Sequence, residues 1–380
     1  MKNIGIIGCG SRLQGLVNLI PGIGEEIQIT ALCDPNPASI EATKKQLAPG
    51  AKVYEDYHQL VKDPELDWVF VGSWNCYHRQ QVEAAFESGK HVFCEKPLAT
   101  TLEDCLAMRD AQHKSGCRFV IGFTLRYSPH YRKLKELIES GAVGRIVSME
   151  FNEVLHFDHG GYIHGDWRRL QKNAGSHMLE KCCHDIDLAH WIVGSIPRKV
   201  ASFGGLDFFK PENIHHVERV GPAPTGREAF SAWPYPREDS PFGTNKDIVD
   251  NQVVIMEFQS NARAAFHTNC STNLPERRMY ICGTEGTLRA DVLTGKIELT
   301  PIGYGVEVQD IDSGGAGGHG GGDEILGASL ADCILKDKPP LTSLEDGLRS
   351  AITCFGIDRA LETGQVVDMA PYWEKAGIEG

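Results

Sequence analysis

GIIGCGSRLQG, residues 5–15, decides the first half of the fold. A short apolar run ends in Gly8 and Gly10, and a helical pattern follows it. A strand, a glycine turn and a helix in this order are typical of the turn that receives the phosphates of a dinucleotide. The third glycine of the usual G-x-G-x-x-G pattern is missing, because Leu13 stands in its place. We interpret the stretch as a variant cofactor turn in which Gly15 partly replaces the missing glycine.

The residues around this turn form a candidate cofactor site. Ser11 and Arg12 stand at the helix start, where backbone N–H groups can donate to a pyrophosphate. Asp34 ends the second strand, at about the interval from the turn at which a ribose-binding acid is found. A carboxylate there accepts hydrogen bonds from the ribose hydroxyls and repels a 2′-phosphate, which favours NAD over NADP. An arginine at position 12 would soften that preference.

The hydrophobic pattern predicts two domains. In residues 1–122, short apolar strands alternate with amphipathic helices, which predicts an α/β Rossmann domain with a doubly wound parallel sheet. In residues 123–380, a long helix is predicted at Met178–Val193, and strands then follow one another with hairpin turns between them. This half is predicted to be an α+β domain with a large, mostly antiparallel open sheet. A length of 380 residues agrees with two domains.

Two stretches stand apart from this pattern. Residues 211–246 contain six prolines without clear periodicity, and we interpret them as a long surface insertion that covers the cleft or serves assembly. Residues 313–322, SGGAGGHGGG, surround His319 with glycines. They form either a flexible linker or a loop that lets the backbone approach a ligand, and the sequence leaves both possibilities open.

Composition excludes several partners. The formal net charge is −13 and no dense basic cluster is present, so neither nucleic acid nor an anionic membrane is an expected partner. No apolar stretch approaches the ~20 residues that span a bilayer. The N-terminal MKNIGIIGCG lacks a signal-peptide pattern, and the twelve cysteines form no C-x-x-C pair. We therefore expect a cytoplasmic protein without a disulfide framework.

Two groups of residues carry the chemistry. Lys96 follows a buried strand in HVFCEKP, where the carboxyl edge of a parallel sheet faces the ligand crevice. It can donate to a substrate oxygen or relay a proton. On the predicted helix 178–193, Glu180, His184 and Asp187 are spaced to share one face, and flanking carboxylates raise the basicity of a histidine. Zinc is not expected, because the adjacent side chains of residues 182–184 point in different directions on a helix.

Further segments extend this pattern along the chain. They are DWVFVGSWNCYH, GKHVFCEKPLATT, GFTLRYSP, GSHMLEKCCHDIDLAHWIVG, DNQVVIMEFQSNARAAF, GTEGTL and PLTSLEDGLRSAITCFGIDRALETGQ. Together with the opening turn, they resemble the glucose–fructose oxidoreductase / inositol dehydrogenase / rhizopine-catabolism (Gfo/Idh/MocA) family of sugar and polyol dehydrogenases. The resemblance covers nearly the whole chain, and the combination of E-K-P with H-x-x-D is specific.

The resemblance implies roles for individual residues. Lys96 would bind substrate and assist proton transfer, and His184 would be the catalytic acid/base. Glu180 falls on a position that is usually aspartate, which leaves its role towards substrate or His184 open. The implied cofactor contacts beyond the turn and Asp34 are Ser73, Trp74, Asn75, His78, Glu95, Lys96 and Arg126. The implied substrate contacts are Lys96, Tyr127, Trp167, Arg168, His184 and Asp187, to which the glycine-rich loop adds His319.

The implied activity is hydride transfer between NAD and a secondary hydroxyl of a sugar, glycoside or cyclitol, by a homodimer or homotetramer. An alternative is a redox-neutral glycosidase or lyase with resident NAD, because the turn GCGSRLQG is similar to the arginine-bearing turns of such enzymes. A non-catalytic NAD-binding regulator is disfavoured, since Lys96 and His184 are both present.

Overall fold

The computed structural model of the chain describes residues 1–231 and 240–379. The strands of this part are β1 (Lys2–Ile7), β2 (Ile27–Cys33), β3 (Lys52–Val53), β4 (Trp68–Val71), β5 (His91–Cys94), β6 (Phe119–Ile121), β7 (Ile146–His156), β8 (Pro197–Gly205), β9 (Asn251–Phe258), β10 (Arg263–Thr272), β11 (Arg278–Gly283), β12 (Gly286–Asp291), β13 (Lys296–Pro301), β14 (Gln309–Asp312) and β15 (Val367–Asp368).

The helices of the same part are α1 (Ser11–Asn18), α2 (Pro37–Gln46), α3 (Tyr57–Leu60), α4 (His78–Glu87), α5 (Leu102–Ser115), α6 (Pro129–Glu139), α7 (Phe157–Gly165), α8 (Gln171–Ala174), α9 (His177–Glu180), α10 (Cys183–Val193), α11 (His215–Val220), α12 (Gly322–Lys336), α13 (Leu344–Thr363) and α14 (Ala370–Lys375). Short 3₁₀ turns occur at Asn75–Tyr77, Thr124–Tyr127, Trp167–Arg169 and Pro211–Asn213.

The first sheet has the strand order β3-β2-β1-β4-β5-β6, and all its strand pairs are parallel. This is the order of a doubly wound dinucleotide-binding fold, in which the winding reverses between β1 and β4. All four residues of β4 are buried, as expected for a strand covered on both faces, and for this reason the strand shows an unbroken apolar run in the sequence. The fold class predicted for the first third is confirmed.

The second sheet has nine strands in the order β14-β13-β12-β11-β7-β10-β9-β8-β15. The pair β7–β10 is parallel and the other pairs are antiparallel. In β9, Val254 and Met256 are buried whereas Val253 and Ile255 are exposed, so one face of the strand packs on a core and the other does not. The predicted mostly antiparallel sheet is confirmed.

The chain forms two compact units, and both are built from separate segments. The first comprises residues 1–129 and 319–351, and the second comprises residues 130–318 and 352–380. The predicted boundary at residue 122 assigned residues 123–380 to one domain. The chain instead returns to the first unit at residues 319–351. α12 packs its apolar side chains into the core of that unit, together with β1 and α1. The functional division into a cofactor domain and a substrate domain stays a prediction.

The predicted helix 178–193 is wrong in one respect, because the structure contains two helices there. α9 ends at Glu180, and α10 begins at Cys183. The N–H groups of Lys181 and Cys182 still donate to carbonyls of the first helix. The N–H groups of Asp185 and Ile186 both donate to the Cys182 carbonyl, at 2.9 and 3.0 Å, so the hydrogen-bond pattern restarts there. Helical spacing therefore cannot be carried from Glu180 to His184.

The predicted insertion 211–246 includes residues 232–239, which lie outside the described residues. Its described part contains α11 and two phenylalanines that are fully buried, Phe230 and Phe242. Their rings pack against Phe208 and Phe209 in a local aromatic cluster of the second unit. This part of the insertion therefore contributes to a small hydrophobic core shared with β7, α7 and β10, which the irregular sequence did not indicate.

Candidate active site

In the turn after β1, a side chain would clash with neighbouring backbone at Gly8 but not at Gly10. Gly8 has a φ of +86°, and a Cβ there would lie 2.4 Å from the backbone nitrogen of Ser73. Only glycine combines that left-handed conformation with so close an approach. A Cβ at Gly10 would meet nothing within 4 Å. The backbone around Gly10 and the start of α1 therefore has room for the pyrophosphate of a dinucleotide, as the sequence predicts.

Leu13 is accommodated by a glycine on the neighbouring strand. A Cβ at Gly72, the residue after β4, would lie 2.8 Å from the Cδ2 atom of Leu13. The leucine fills this space and is fully buried. A Cβ at Gly15 would meet nothing within 4 Å, so the interpretation that Gly15 replaces the missing glycine is wrong. The glycine that allows α1 to pack closely on the sheet is therefore Gly72, after β4, instead of a residue of the helix.

Asp34 is held in place by the backbone around it. One carboxylate oxygen accepts from the N–H of Cys9, inside the glycine turn, at 2.7 Å. The other accepts from the N–H of Asn36, also at 2.7 Å. A carboxylate offers about four acceptor positions, so both oxygens can accept further hydrogen bonds from ribose hydroxyls. The residues present fit NAD.

Arg12 is bound by side chains of its own unit. Its Nε atom donates to Glu95 Oε1 at 3.0 Å, Nη1 donates to Asp323 Oδ1 at 2.6 Å, and Nη2 donates to Thr124 Oγ1 at 2.8 Å. The guanidinium therefore neutralises two carboxylates and is not directed at a 2′-phosphate. The expected softening of the NAD preference by Arg12 finds no support in this geometry.

The loop after β4 is joined to the loop that carries Lys96. His78 is completely buried, with Nδ1 2.9 Å from the Pro97 carbonyl and Nε2 3.2 Å from the Ser73 carbonyl. Burial lowers the pKa of His78, so a neutral ring donates to one carbonyl at a time. Asn75 is buried beside it, and Ser73 donates to Gln81 at 2.6 Å. These contacts fix the loop's conformation, while the cofactor contacts of Ser73, Trp74, Asn75 and His78 stay predictions.

Lys96 is half-buried at the carboxyl end of β5, directly after the buried Glu95. The strand order places this end beside β4, on the edge of the sheet where ligands of the fold bind. An amine in that position can donate a hydrogen bond or a proton to an oxygen that bears negative charge.

In the second unit, Glu180 lies in a cluster of polar and aromatic side chains. Arg168 donates from Nε to Glu180 Oε1 at 3.2 Å and from Nη1 to the Tyr162 hydroxyl at 2.7 Å. Its guanidinium also lies over the Trp167 ring, 4.3 Å from the centroid. The structure thus brings together three residues predicted from the sequence, Glu180, Trp167 and Arg168. Tyr162 was missed, because no spacing in the sequence relates it to Glu180.

His184 lies in the first turn of α10 and is buried, as is Asp187 one turn further on. The three-residue spacing of His184 and Asp187 lies within α10, so these two can still share a helix face. Their catalytic and substrate roles stay predictions.

A buried ion-pair network lies next to these residues in the sequence. Arg277 donates to both oxygens of Asp185, at 2.9 and 2.7 Å, and its Nε lies 2.5 Å from Glu153. Lys181 lies 3.3 Å from the other oxygen of Glu153. The network joins the α9–α10 connection to β7 and to the segment before β11. Arg277 and Glu153 were not predicted from the sequence. The signal available was Asp185, the acid next to His184, which needs a basic partner if it is buried.

Three predicted site residues of the first unit have partners within that unit. The Tyr127 hydroxyl lies 3.1 Å from Thr342 Oγ1 in the core, and Arg126 pairs with Asp346 at 3.0 Å. His319 Nδ1 lies 2.7 Å from Asp323 Oδ2. The predicted cofactor contact of Arg126 and substrate contacts of Tyr127 and His319 stay predictions.

Neither a metal site nor a membrane-spanning helix is found in residues 1–231 and 240–379. No group of three or more His, Cys, Asp or Glu side chains there is placed to hold a metal ion. None of the helices in that part is both long and apolar enough to cross a bilayer.

Comparison with known proteins agrees with this geometry. Residues 2–123 match the model of the oxidoreductase family with an NAD-binding Rossmann fold, and residues 131–289 match the GFO/IDH/MocA C-terminal domain. A "putative oxidoreductase YteT" of Bacillus subtilis is 25% identical, with 100% of each chain covered. An inositol 2-dehydrogenase/D-chiro-inositol 3-dehydrogenase of Lactiplantibacillus plantarum is 28% identical over 58% of this chain and 59% of its own length.

One further relative has a name that describes a different reaction, and one solved structure shares the fold. A 2,7-anhydro-N-acetylneuraminate hydratase of Escherichia coli is 26% identical over 77% of this chain and 68% of its own. The solved structure of a levoglucosan dehydrogenase in complex with NADH and levoglucosan superposes with a TM-score of 0.76. It is 20% identical, and the superposition covers 97% of this chain and 99% of that one. At that identity the likeness concerns the fold alone.

Proposed function

The chain belongs to the Gfo/Idh/MocA family of NAD-binding oxidoreductases, and on this premise we propose that it transfers hydride between NAD and a secondary hydroxyl of a sugar, glycoside or cyclitol. The inositol dehydrogenase among its relatives supports this substrate class. Asp34 and the bound state of Arg12 support NAD as the cofactor.

The proposal gives each catalytic residue one task. In the oxidation direction His184 removes the proton of the substrate hydroxyl, and Lys96 donates to the oxygen as negative charge develops on it. Glu180, held by Arg168, fixes the orientation of the polar cluster that receives the other hydroxyls. NAD⁺, held by the cofactor turn and Asp34, would supply the hydride acceptor.

One observation carries the proposal for the substrate. The Arg168 guanidinium donates to the buried Glu180 and to the Tyr162 hydroxyl, and it lies over the indole ring of Trp167. Hydrogen-bonding groups next to an aromatic face suit a sugar or cyclitol, because such a ring has polar hydroxyl edges and an apolar C–H face. The acid/base His184 follows Glu180 by four residues.

The activity is tested by incubating the protein with NAD⁺ and a panel of sugars, cyclitols and glycosides. NADH absorbance and the products are followed together. Stoichiometric formation of NADH and a keto product from one panel member is the expected result.

His184→Ala is expected to lower turnover of that substrate by about 10²–10⁴-fold while NAD binding changes little, since general acid–base catalysis is lost. His113→Ala, which removes an exposed histidine of α5, is the matched control and should be as active as the unmodified protein. Unimpaired oxidation by His184→Ala would remove His184 from the proposed role.

A second candidate is favoured by one specific observation, the similarity to a hydratase acting on an anhydro-sugar. In such a redox-neutral reaction a sugar carbon is oxidised, the neighbouring C–H is acidified, elimination or hydrolysis follows, and the same hydride returns to the sugar. Cleavage or hydration of a panel substrate without net NADH, by protein that retains NAD through purification, would establish this alternative and reject the dehydrogenase.

The exposed face of the second sheet supports the predicted homodimer or homotetramer. Val253 and Phe203 pair across β9 and β8, and both are exposed, as is Ile255 two residues along β9. Contiguous exposed apolar side chains of this kind favour burial against another protein surface. Light scattering of the purified protein tests the assembly.

A further inference from the structure

Asp323 is the residue through which the glycine-rich loop meets the cofactor turn. It lies in the first turn of α12, directly after residues 313–322. Its Oδ1 atom accepts from Arg12 at 2.6 Å, and its Oδ2 atom pairs with His319 Nδ1 at 2.7 Å. The two partners use both oxygens. Arg12 and Asp323 are 311 positions apart in the sequence, so no local pattern predicts the contact.

The opposite side of Arg12 is bound to two further elements. Its Nε atom donates to Glu95 at the end of β5, and Nη2 donates to Thr124 after β6. A guanidinium is planar and its N–H groups point in fixed directions, so three partners in its plane hold it in one orientation. Arg12 is the second residue of α1, and its orientation is therefore coupled to the helix terminus that faces the cofactor.

The backbone around Asp323 is closely packed. A Cβ at Gly322 would lie 2.4 Å from the Thr124 carbonyl oxygen, so only glycine fits there. Ser128 donates to the Gly320 carbonyl at 2.9 Å. The start of α12 is thus fixed against the segment 124–128, and Asp323 is presented to Arg12 from a rigid support.

The Asp323 carboxylate is kept ionised by its two partners. Burial alone would raise the pKa of Asp323, but hydrogen bonds and charges from His319 and Arg12 lower it to about 2. Asp323 therefore carries a negative charge at neutral pH, with which it holds the Arg12 guanidinium.

We propose that Asp323 and His319 are cofactor-positioning residues, which hold Arg12 against Glu95 and so keep the start of α1 in the conformation that receives the NAD pyrophosphate. Without Asp323, Arg12 keeps a single carboxylate partner and the polar contact between α1 and α12 is lost. Without Arg12, Glu95 and Asp323 lose the guanidinium that joins them. The inference rests on NAD binding and not on the reaction proposed above.

The test measures NAD⁺ affinity by calorimetry, so it does not depend on a known substrate. Asp323→Asn and Arg12→Gln are each expected to weaken NAD⁺ binding roughly 10-fold. The double variant should bind NAD⁺ no more weakly than the single variant with the lower affinity, because both substitutions remove the same Arg12–Asp323 contact. Asp323→Glu should restore part of the affinity. Asp332→Asn breaks a different ion pair of α12, with Lys336 and Lys338, and serves as the matched control with unchanged affinity.

A second measurement separates positioning from general damage to the fold. Thermal unfolding midpoints of Asp323→Asn and Asp332→Asn are compared, and a selective loss of NAD⁺ affinity in the first variant supports the proposal. Unchanged affinity in both Asp323→Asn and Arg12→Gln would overturn it. Additive losses in the double variant would overturn it as well, since independent effects do not pass through one contact.

His319 is tested separately by His319→Ala. This variant is expected to weaken NAD⁺ binding by less than Asp323→Asn does, because Asp323 loses the partner of one oxygen, at 2.7 Å, but keeps Arg12. Unchanged NAD⁺ affinity in His319→Ala would exclude His319 from the positioning role.

Discussion

Asp34 joins the cofactor turn to the end of β2 through two backbone N–H groups, those of Cys9 and Asn36. A single side chain therefore supports the turn, and the same carboxylate would make the ribose contact that the sequence predicts. Removing the charge and removing the hydrogen bonds are different perturbations, and two substitutions separate them.

Asp34→Asn is expected to weaken NAD⁺ binding by roughly 10-fold and to leave NADP⁺ binding unchanged or improved. A hydrogen bond to a charged acceptor contributes about 1.5–3 kcal/mol, and the amide no longer repels a 2′-phosphate. Affinities for both cofactors are measured by titration. Asp34→Ala, which also removes the acceptor for Cys9, should weaken both cofactors. An unchanged ratio of the two affinities in Asp34→Asn would contradict the role of this charge.

Among the helices, α9 depends on a single cap. The Ser176 hydroxyl accepts from the N–H of Leu179 at 3.1 Å and donates to Asp358 Oδ2, on α13, at 2.6 Å. Burial, opposed by the Ser176 hydrogen bond and assisted by Glu362, raises the pKa of Asp358 to about 7. The folded protein therefore keeps this carboxyl protonated over a pH range in which the unfolded chain ionises it.

Stability is expected to fall as the pH rises from about 4 to about 7, because the folded state binds the proton more strongly than the unfolded state does. Asp358→Asn keeps the acceptor for Ser176 and removes the titration, so its urea midpoint should depend less on pH across this range. Glu362→Gln, on the same helix, is the control that keeps the titrating group. Parallel pH profiles for Asp358→Asn and the unmodified protein would contradict this assignment.

The sequence predicts some elements better than others, because only elements with a sustained hydrophobic pattern leave a signal in it. β4 is an unbroken apolar run, β5 has one after its first residue, and the last residues of β1 and β2 are buried and non-polar, so the hydrophobic pattern locates these four strands. The interruption between α9 and α10 has no such signal, since Lys181 and Cys182 are compatible with a continuous helix. β3 and β15 have two residues each, too few for any periodicity.

Site residues follow the same division. Gly8, Asp34 and Lys96 could be proposed as site residues from the sequence because each stands at or just after a strand end, and their site roles stay predictions. Gly72 and Asp323 were not found, because their roles depend on contacts between elements that are distant in the sequence, with Leu13 and Arg12 respectively. Such contacts exist only after the chain has folded, so they leave no periodic signal.

At the scale of the whole molecule, the core of the first unit is completed by its second segment, residues 319–351. Leu326, Leu330 and Ile334 of α12 are buried in the core that β1 and α1 also line. Each buried side chain of this size contributes about 1.5–3 kcal/mol, which is a large part of the stability of an ordinary domain.

A chain that ends at residue 129 is therefore expected to be insoluble or only partly folded, although it contains all six strands of the parallel sheet. A fusion of residues 1–129 to 319–351 through a flexible linker should fold and bind NAD⁺. Circular dichroism and NAD⁺ titration compare the two fragments. Cooperative unfolding of the shorter fragment, with full NAD⁺ affinity, would show that α12 is dispensable.

The return of the chain to its first unit also has a consequence for the order of events during synthesis. More than 200 residues separate Pro129 from the end of α12. At about 5–20 residues per second, the ribosome needs roughly 10–40 s to add them. During that interval the parallel sheet is complete in sequence but lacks part of its core, and the apolar surface that awaits α12 is open to chaperones. The first unit is therefore expected to complete its core only late in synthesis, after most of the second unit has been made.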